Sequence, residues 1–241
     1  MAVTQNPAHY DGHDLEALAD MPHYNAWIIE QFAPWLCGRV IEVGAGIGNS
    51  AAAYLPHVTS AVLVEPAVNL APRLRKRFEE DSRVTVASDL LADLDPSLHQ
   101  PPFDAAIMIN VLEHIEDDGA VLRQLHSVLR PNGAVCIFVP ALPALYGTLD
   151  VAFDHVRRYR RAELGQKLQE AGFKVEKLRY LDSAGIAVWW FVGRILKKRR
   201  IDGSNAKLYD LLAVPVLRYL ERQVTLPLGK SLVAVGVRAA K

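Results

Sequence analysis

The sequence predicts an α/β fold, a doubly wound and mainly parallel sheet with helices on both faces. Three observations carry this. Short apolar runs rich in β-branched residues recur along the chain, each a continuous hydrophobic stretch rather than an alternating one. Segments with a three- and four-residue apolar period separate them. The first run ends in Gly44-Ala45-Gly46-Ile47-Gly48, the composition of a tight strand-to-helix turn.

Taken in order, residues 22–36 carry Trp27, Ile28, Phe32 and Trp35 at helical spacing and predict a helix before the sheet. Residues 39–43 form the first strand, and 50–55 the helix after its glycines. A second strand over 61–64 closes at Glu65-Pro66, and a charged helix follows over 70–80. Residues 84–87 are the third strand, closing at Ser88-Asp89, and 103–109 the fourth. Val121, Leu122, Leu125, Val128 and Leu129 give 116–129 a helical period that stops at the turn signal Pro131-Asn132-Gly133. A fifth strand over 134–139, a helix over 161–171 ended by Gly172, and a sixth strand over 175–180 continue the alternation. Residues 182–230 interrupt it with a helical insertion, and 231–237 return as a final strand. No repeat or linker divides the chain, so it reads as one domain over 1–241, with an N-terminal cap over about 1–36.

Bulk properties narrow the function. Hydrophobic residues make up 51% of the 241, enough for a buried core and too many for a disordered chain. Lys+Arg and Asp+Glu balance at 27 each, so no global field favours nucleic acid, and no such partner is expected. Cys37 and Cys136 lie far apart and outside any metal-ligand spacing. Both read as small core residues in a reducing, cytoplasmic setting. No basic-then-apolar signal segment is evident at the start. The most apolar stretch, 184–196, is interrupted by Gly193 and Arg194 and falls short of the roughly 20 residues that cross a bilayer.

Open α/β sheets bind ligands at the carboxyl ends of their strands, and three features sit at such ends. Gly44, Gly46 and Gly48 let the first loop approach a ligand closely. Glu65, with Pro66 beside it, lies about 20 positions further on, where a carboxylate accepts hydrogen bonds from ribose hydroxyls. Asp89 ends the third strand, placed to accept from an adenine amino group with the Leu90 backbone next to it. A dinucleotide would satisfy much of this, but Asn49 stands where its fingerprint has a third glycine. Glu42, just before the loop, would repel a pyrophosphate and suits the amino end of a methionine.

These motifs, together with Phe103-Asp104, Asn110-Val111-Leu112-Glu113-His114-Ile115 and Leu129-Arg130-Pro131-Asn132-Gly133, resemble those of class I S-adenosylmethionine-dependent methyltransferases. The likeness covers roughly residues 22–180 and is nearest to methyltransferase-domain families acting on small molecules, sugars and lipids. It implies a Rossmann-like, seven-stranded sheet whose last strand is antiparallel and inserted between strands five and six, with 231–237 the candidate. It implies S-adenosylmethionine as cofactor, S-adenosylhomocysteine as product, and a small-molecule or glycan- or lipid-linked acceptor. Asn110 and Val111 would lie toward the cofactor's sulfonium side, Asn110 contributing its backbone carbonyl to the methionine amine. N-terminal segments of such proteins fold over the cofactor, a role for Tyr10 or Tyr24, although Tyr24 and Trp27 also suit plain core packing.

On the acceptor side, Asp154-His155-Val156-Arg157-Arg158-Tyr159 follows the fifth strand, at the sheet edge that carries the glycines. His155 is a candidate base or orienting group, with Asp154 or Asp150 setting its charge, and otherwise a polar surface histidine. His114, after the fourth strand, is a further candidate. The segment resembles an Asp-His-x-Arg-Arg-Tyr pattern in some sugar- or polyketide-tailoring methyltransferases. Arg157, Arg158, Arg160 and Arg161 read as a solvated helix face with local ion pairs, or as a grip on an acceptor anion. No metal is expected, because no His/Cys/carboxylate group has ligand spacing.

The insertion holds Trp189, Trp190 and Phe191 ahead of Lys197-Lys198-Arg199-Arg200. Residues 184–200 therefore read as a helix packed on the sheet, a homodimer contact, or a peripheral membrane contact, and the insertion as a lid or partner surface. The function expected is methyl transfer, to oxygen of a small or glycan-like molecule. A nicotinamide-dependent oxidoreductase is the second reading, opposed by Glu42 and Asn49. A non-catalytic cofactor-binding scaffold is the third.

Overall fold

In the computed structural model, residues 9–10, 21–198 and 203–240 are described. The strands are β1 (Arg39–Val43), β2 (Ser60–Val64), β3 (Val84–Ala87), β4 (Phe103–Ile109), β5 (Leu129–Pro140), β6 (Phe173–Leu181) and β7 (Ser231–Arg238). They form one sheet in the order β3-β2-β1-β4-β5-β7-β6. β1 to β5 pair in parallel, and β7 runs antiparallel to both β5 and β6. The antiparallel strand expected over 231–237 is therefore present where expected. Strand order reverses between β1 and β4, which opens a crevice beyond their carboxyl ends.

Successive side chains point to opposite faces of a strand, and in the five strands between the edge strands β3 and β6 both faces are buried. Val40, Ala105, Ile107 and Val235 pack in one layer, under α1 (Pro22–Glu30), α2 (Asn49–Tyr54) and α3 (Ala71–Arg77). Ile41, Ala106, Met108 and Ala234 pack in the other, under α4 (Asp118–Val128) and α6 (Arg161–Glu170); the short α5 (Thr148–Ala152) lies between β5 and α6 in sequence. This is why the strands read as unbroken apolar runs.

Several boundaries differ from expectation for local reasons. The first helix stops at Glu30 and not at 36, because Pro34 lacks a donor and disfavours helix at Ala33. The charged helix of 70–80 contracts to Ala71–Arg77, and that of 116–129 to Asp118–Val128, where the Asp117 carboxylate accepts from the Ala120 N–H at 2.9 Å. β5 begins at Leu129 rather than 134. The Pro131-Asn132-Gly133 turn is an excursion within it: the β4 pairing jumps from Leu129 to Ala134, and Asn132 has a φ of 62°. Cys136 is buried as expected, but Cys37 is exposed, contrary to the reading of both as core residues.

The insertion is helical. α7 (Gly185–Trp190) runs on through a π turn at Phe191–Ile195, and α8 (Gly203–Leu208) through another at Tyr209–Ala213 into α9 (Val214–Gln223). Among the described residues no helix is long and apolar enough to cross a membrane. Two buried carboxylates tie the insertion down. α1 has no capping side chain of its own, and Asp210 accepts from the backbone N–H groups of Tyr24 at 2.7 Å and His23 at 3.1 Å instead. Asp182 accepts from the Tyr24 hydroxyl at 3.1 Å and the Gly185 N–H at 2.9 Å, contacts the Tyr209 hydroxyl, and pairs with Lys230 at 2.9 Å. Burial opposes a charge on Asp182, yet Lys230 and these donors outweigh it and hold its pKa below the usual carboxylate range.

Candidate active site

The crevice between β1 and β4 is lined by two loops that touch. Gly44, Gly46 and Gly48 have φ of 71°, 56° and 82°, a conformation that side chains resist. A Cβ on Gly44 would lie 2.4 Å from Val111 Cγ2, in the loop after β4. Asn110, at φ 53°, turns that loop and donates its N–H to the Phe138 carbonyl at 2.8 Å. Asn49, the residue that breaks the dinucleotide pattern, is held from α3: Arg77 donates to its side-chain oxygen at 3.0 Å and to the Ile47 carbonyl at 2.8 Å.

Three carboxylates stand at neighbouring strand ends. Glu65 is buried, and its two oxygens accept from the Gly46 N–H at 2.7 Å and the Ala67 N–H at 2.9 Å. Burial raises its pKa, and those two N–H groups oppose the rise. Asp89, after β3, is exposed, and Leu90 and Pro66 are half-buried. Tyr10 docks nearby: its N–H donates to the Asn69 side chain at 3.0 Å, and that side chain returns a bond to its carbonyl at 2.9 Å.

Glu42 is buried within β1, and the Tyr54 hydroxyl donates to it at 2.8 Å. Burial, assisted by the charge of Glu65 and opposed by the Tyr54 bond, pushes its pKa up to about 8. The unfolded chain releases this proton in the ordinary carboxylate range, so the fold loses stability as pH rises from that range to about 8. Glu42→Gln keeps an acceptor for Tyr54 and removes the slope. Melts of variant and parent are expected to coincide near pH 5, and the variant to gain on the order of 1–3 kcal/mol by about pH 8. Parallel curves across that range would show no buried carboxyl titrating there.

Beyond Asn110 lies a mainly apolar cavity walled by Tyr24, Phe138, Phe153 and Trp189, with His155, Arg158 and Lys230 among its polar groups. His155 is buried, not a surface histidine. Its Nδ1 lies 2.9 Å from Asp150 Oδ1, which also accepts from Arg158 Nε at 2.7 Å. Burial works against the Asp150 charge, but His155 and Arg158 prevail and keep its pKa below the usual carboxylate range. An ionised Asp150 can only accept, so Nδ1 carries a proton, and in the neutral ring Nε2 keeps its lone pair. Nε2 sits 3.9 Å from Glu113 Oε1. The His114 ring meets that of His155 edge to face with centroids 5.0 Å apart, and its Nδ1 lies 3.2 Å from the Asp154 carbonyl.

The partner of His155 is thus Asp150. Asp154 is corrected: its backbone takes a φ of 56°, its carbonyl meets His114, and its residue is exposed. The arginine run is not one solvated helix face. Arg158 is buried on Asp150, Arg157 pairs with Asp118 at 2.8 Å, Arg161 stacks on Tyr180, and Arg160 is exposed. The expectation of no metal also meets a counter-observation. Ligand atoms of Glu113, His114 and His155 lie within 4.8 Å of one another, a cluster that spacing over some 40 residues does not reveal. Tyr54, Arg77, Asp182, Tyr209 and Lys230 were missed as well. Each lies outside the motifs and acts through a long-range side-chain contact that periodicity does not signal.

Comparison with known proteins agrees with this architecture. The chain is 30% identical over 158 residues to a ubiquinone biosynthesis O-methyltransferase of Xanthomonas axonopodis pv. citri, covering 57% of this chain and 63% of that protein. It is 27% identical over 164 residues to a probable S-adenosylmethionine-dependent methyltransferase of Mycolicibacterium smegmatis, covering 66% and 62%. The chain thus spans about three fifths of the length of these curated relatives. Among solved structures, a Haemonchus contortus phosphoethanolamine N-methyltransferase bound to S-adenosylhomocysteine superposes with a TM-score of 0.61 at 17% identity, over 95% of this chain and 58% of that one. A Burkholderia thailandensis 1,6-didemethyltoxoflavin N1-methyltransferase gives 0.56 at 19%, over 94% and 80%; these likenesses concern the fold. A methyltransferase-domain family model matches residues 13–178, well over half of the chain, and the chain belongs to that family, the class I S-adenosylmethionine-dependent methyltransferases.

Proposed function

We propose that this protein transfers the methyl group of S-adenosylmethionine to an oxygen of a small molecule, or of a glycan- or lipid-linked acceptor, by direct displacement. The observation that carries the reading is the placement of a glycine crevice with acidic strand ends beside a cavity containing a buried Asp150–His155 pair. Glu65 and Asp89 make the crevice acidic, which favours a ligand with cationic sulfonium and ammonium groups and opposes a pyrophosphate, and the buried Glu42 carboxyl stands beside the loop as a further oxygen acceptor. The left-handed glycines keep side chains off the loop, so a ligand can lie against backbone.

On this reading Glu65 holds the ribose, Asp89 and the Leu90 backbone the adenine, and Pro66 borders them. Glu42, Gly44, Gly46 and Gly48 hold the methionine portion together with Asn110 and Val111. Tyr24, on the cavity wall, separates the cofactor from the insertion. When bound, the cofactor supplies a methyl group already activated by a positive sulfur. His155 Nε2 takes the acceptor's hydroxyl proton, and Asp150 fixes the tautomer that makes this geometry available. The apolar walls exclude water from the attacking oxygen. The chain acts as a single domain with the insertion as roof of the acceptor cavity. The relatives' names point to oxygen as the receiving atom.

Calorimetric titration with S-adenosylmethionine, S-adenosylhomocysteine and NAD tests the cofactor assignment; binding of NAD alone would overturn it in favour of an oxidoreductase. Glu65→Ala is expected to weaken S-adenosylhomocysteine binding about tenfold or more, since it removes charge-assisted bonds and frees the Gly46 loop. Unchanged affinity would take Glu65 out of the site. Methyl transfer that is abolished by a chelator and restored by a divalent cation would replace His155 as base with a metal on Glu113, His114 and His155.

A further inference from the structure

Of the large hydrophobic side chains that stand exposed, most lie in the insertion. They are ordered. Leu208, Leu211, Leu212, Val216 and Tyr219 recur at three- and four-residue intervals along the continuous helix formed by α8, its π turn and α9, with Leu211, Leu212 and Tyr219 exposed to 62%, 60% and 65%. Phe191 and Ile195 repeat the pattern on the other helix. The opposite sides of the same helices, through Trp189, Val192, Ala206 and Tyr209, line the acceptor cavity. A half-exposed apolar stripe of this length on both helices is more than scattered surface hydrophobicity.

Charge distinguishes the occupant. The insertion's described acidic side chains, Asp182, Asp210 and Glu221, are all buried, while Arg194, Lys197, Lys198 and Lys207 are exposed. Among the described residues, the outward face therefore presents apolar, neutral polar and cationic groups and no carboxylate. A second copy of the chain related by a twofold axis would set these cations against themselves. An anionic lipid surface complements both features, with acyl chains for the stripe and head groups for the rim.

We propose that the insertion's outer face rests on the surface of an anionic bilayer, without crossing it, and that its inner face roofs the acceptor cavity. The acceptor would thereby be taken up at the membrane. The docking itself does not depend on methyl transfer, so its test needs no activity and can fail or succeed separately.

Co-sedimentation with vesicles decides it, using phosphatidylcholine alone and phosphatidylcholine with about one third phosphatidylglycerol. The full chain is expected to bind the anionic vesicles at least about tenfold more tightly than the neutral ones, and to be released by high salt. The double variant Leu211→Glu, Leu212→Glu should lose about tenfold or more of that binding, and Lys197→Glu with Lys207→Glu a similar amount. Both variants change exposed positions, and unaltered S-adenosylhomocysteine binding would show that the fold is intact. Equal binding to both vesicle types, binding indifferent to these substitutions, or no binding at all would overturn the proposal. So would a stable dimer by light scattering that the leucine variant dissociates.

Discussion

His155→Ala is expected to reduce methyl transfer by about 10²–10⁴-fold in kcat while leaving S-adenosylhomocysteine affinity unchanged within about twofold. The loss belongs to proton removal. The imidazole sits on the cavity wall, and its Nδ1 is engaged by Asp150, so Nε2 is the atom left to accept the acceptor's proton. Packing alone does not imitate this result, because a general pocket collapse would raise KM and weaken both ligands. Asp150→Asn supplies the second readout. It removes the charge on the oxygen that both His155 Nδ1 and Arg158 Nε contact, and with its amide nitrogen turned to that position it loses the Arg158 bond and permits the wrong imidazole tautomer, so kcat should fall. A His155→Ala enzyme with kcat within about threefold of the parent would leave the reaction without this base.

Gly44→Ala should be nearly as damaging, and for a reason confined to the backbone. The added methyl group would stand 2.4 Å from Val111 Cγ2 at a residue with φ of 71°. The left-handed conformation costs a side-chain-bearing residue about 1–3 kcal/mol, and overpacking against Val111 adds a similar amount. Because both loops line the crevice, relief comes by moving one of them, and cofactor affinity is expected to fall on the order of 100-fold. Adding Val111→Ala separates the two contributions. It should recover the packing share of the melting temperature but not the conformational share. Full wild-type stability in the single variant would show that the two loops are not in contact.

The fold was legible where the sequence carried local signals. Apolar runs revealed β1, β2, β4, β5 and β7 because burial on both faces leaves no alternation to blur them, while the half-exposed edge strands β3 and β6 showed through shorter runs, and Gly172 ended its helix as its φ of 95° requires. The order of strands was less visible, since antiparallel insertion of β7 depends on pairing across the whole insertion, and only family resemblance supplied it. In the crevice, Gly44 to Gly48 and Glu65 came together as their positions after β1 and β2 implied. His155 was found through its placement after β5, but its partner was not fixed. Asp154 is adjacent in sequence, whereas the chain's turn through Phe153 and Asp154 brings Asp150 back against the ring. Glu42 shows the other limit. Its position before the glycines marked it, but its burial against Tyr54 depends on how α2 packs over β1.

The placement of β7 also governs how the protein is made. β5 and β6 are both synthesised before the strand that must lie between them. At about 5–20 residues per second, residues 182–230 take roughly 3–10 s to emerge, far longer than strands need to collapse. During that interval β5 presents an open apolar edge, Val135 and Ile137 included, and β6 has no neighbour to pair with. The nascent chain is therefore most exposed to wrong partners in the seconds before β7 is made, when its insertion is also emerging with unburied hydrophobic faces. A holdase acting on this protein would have its longest opportunity just there, and its release would coincide with the arrival of Ser231.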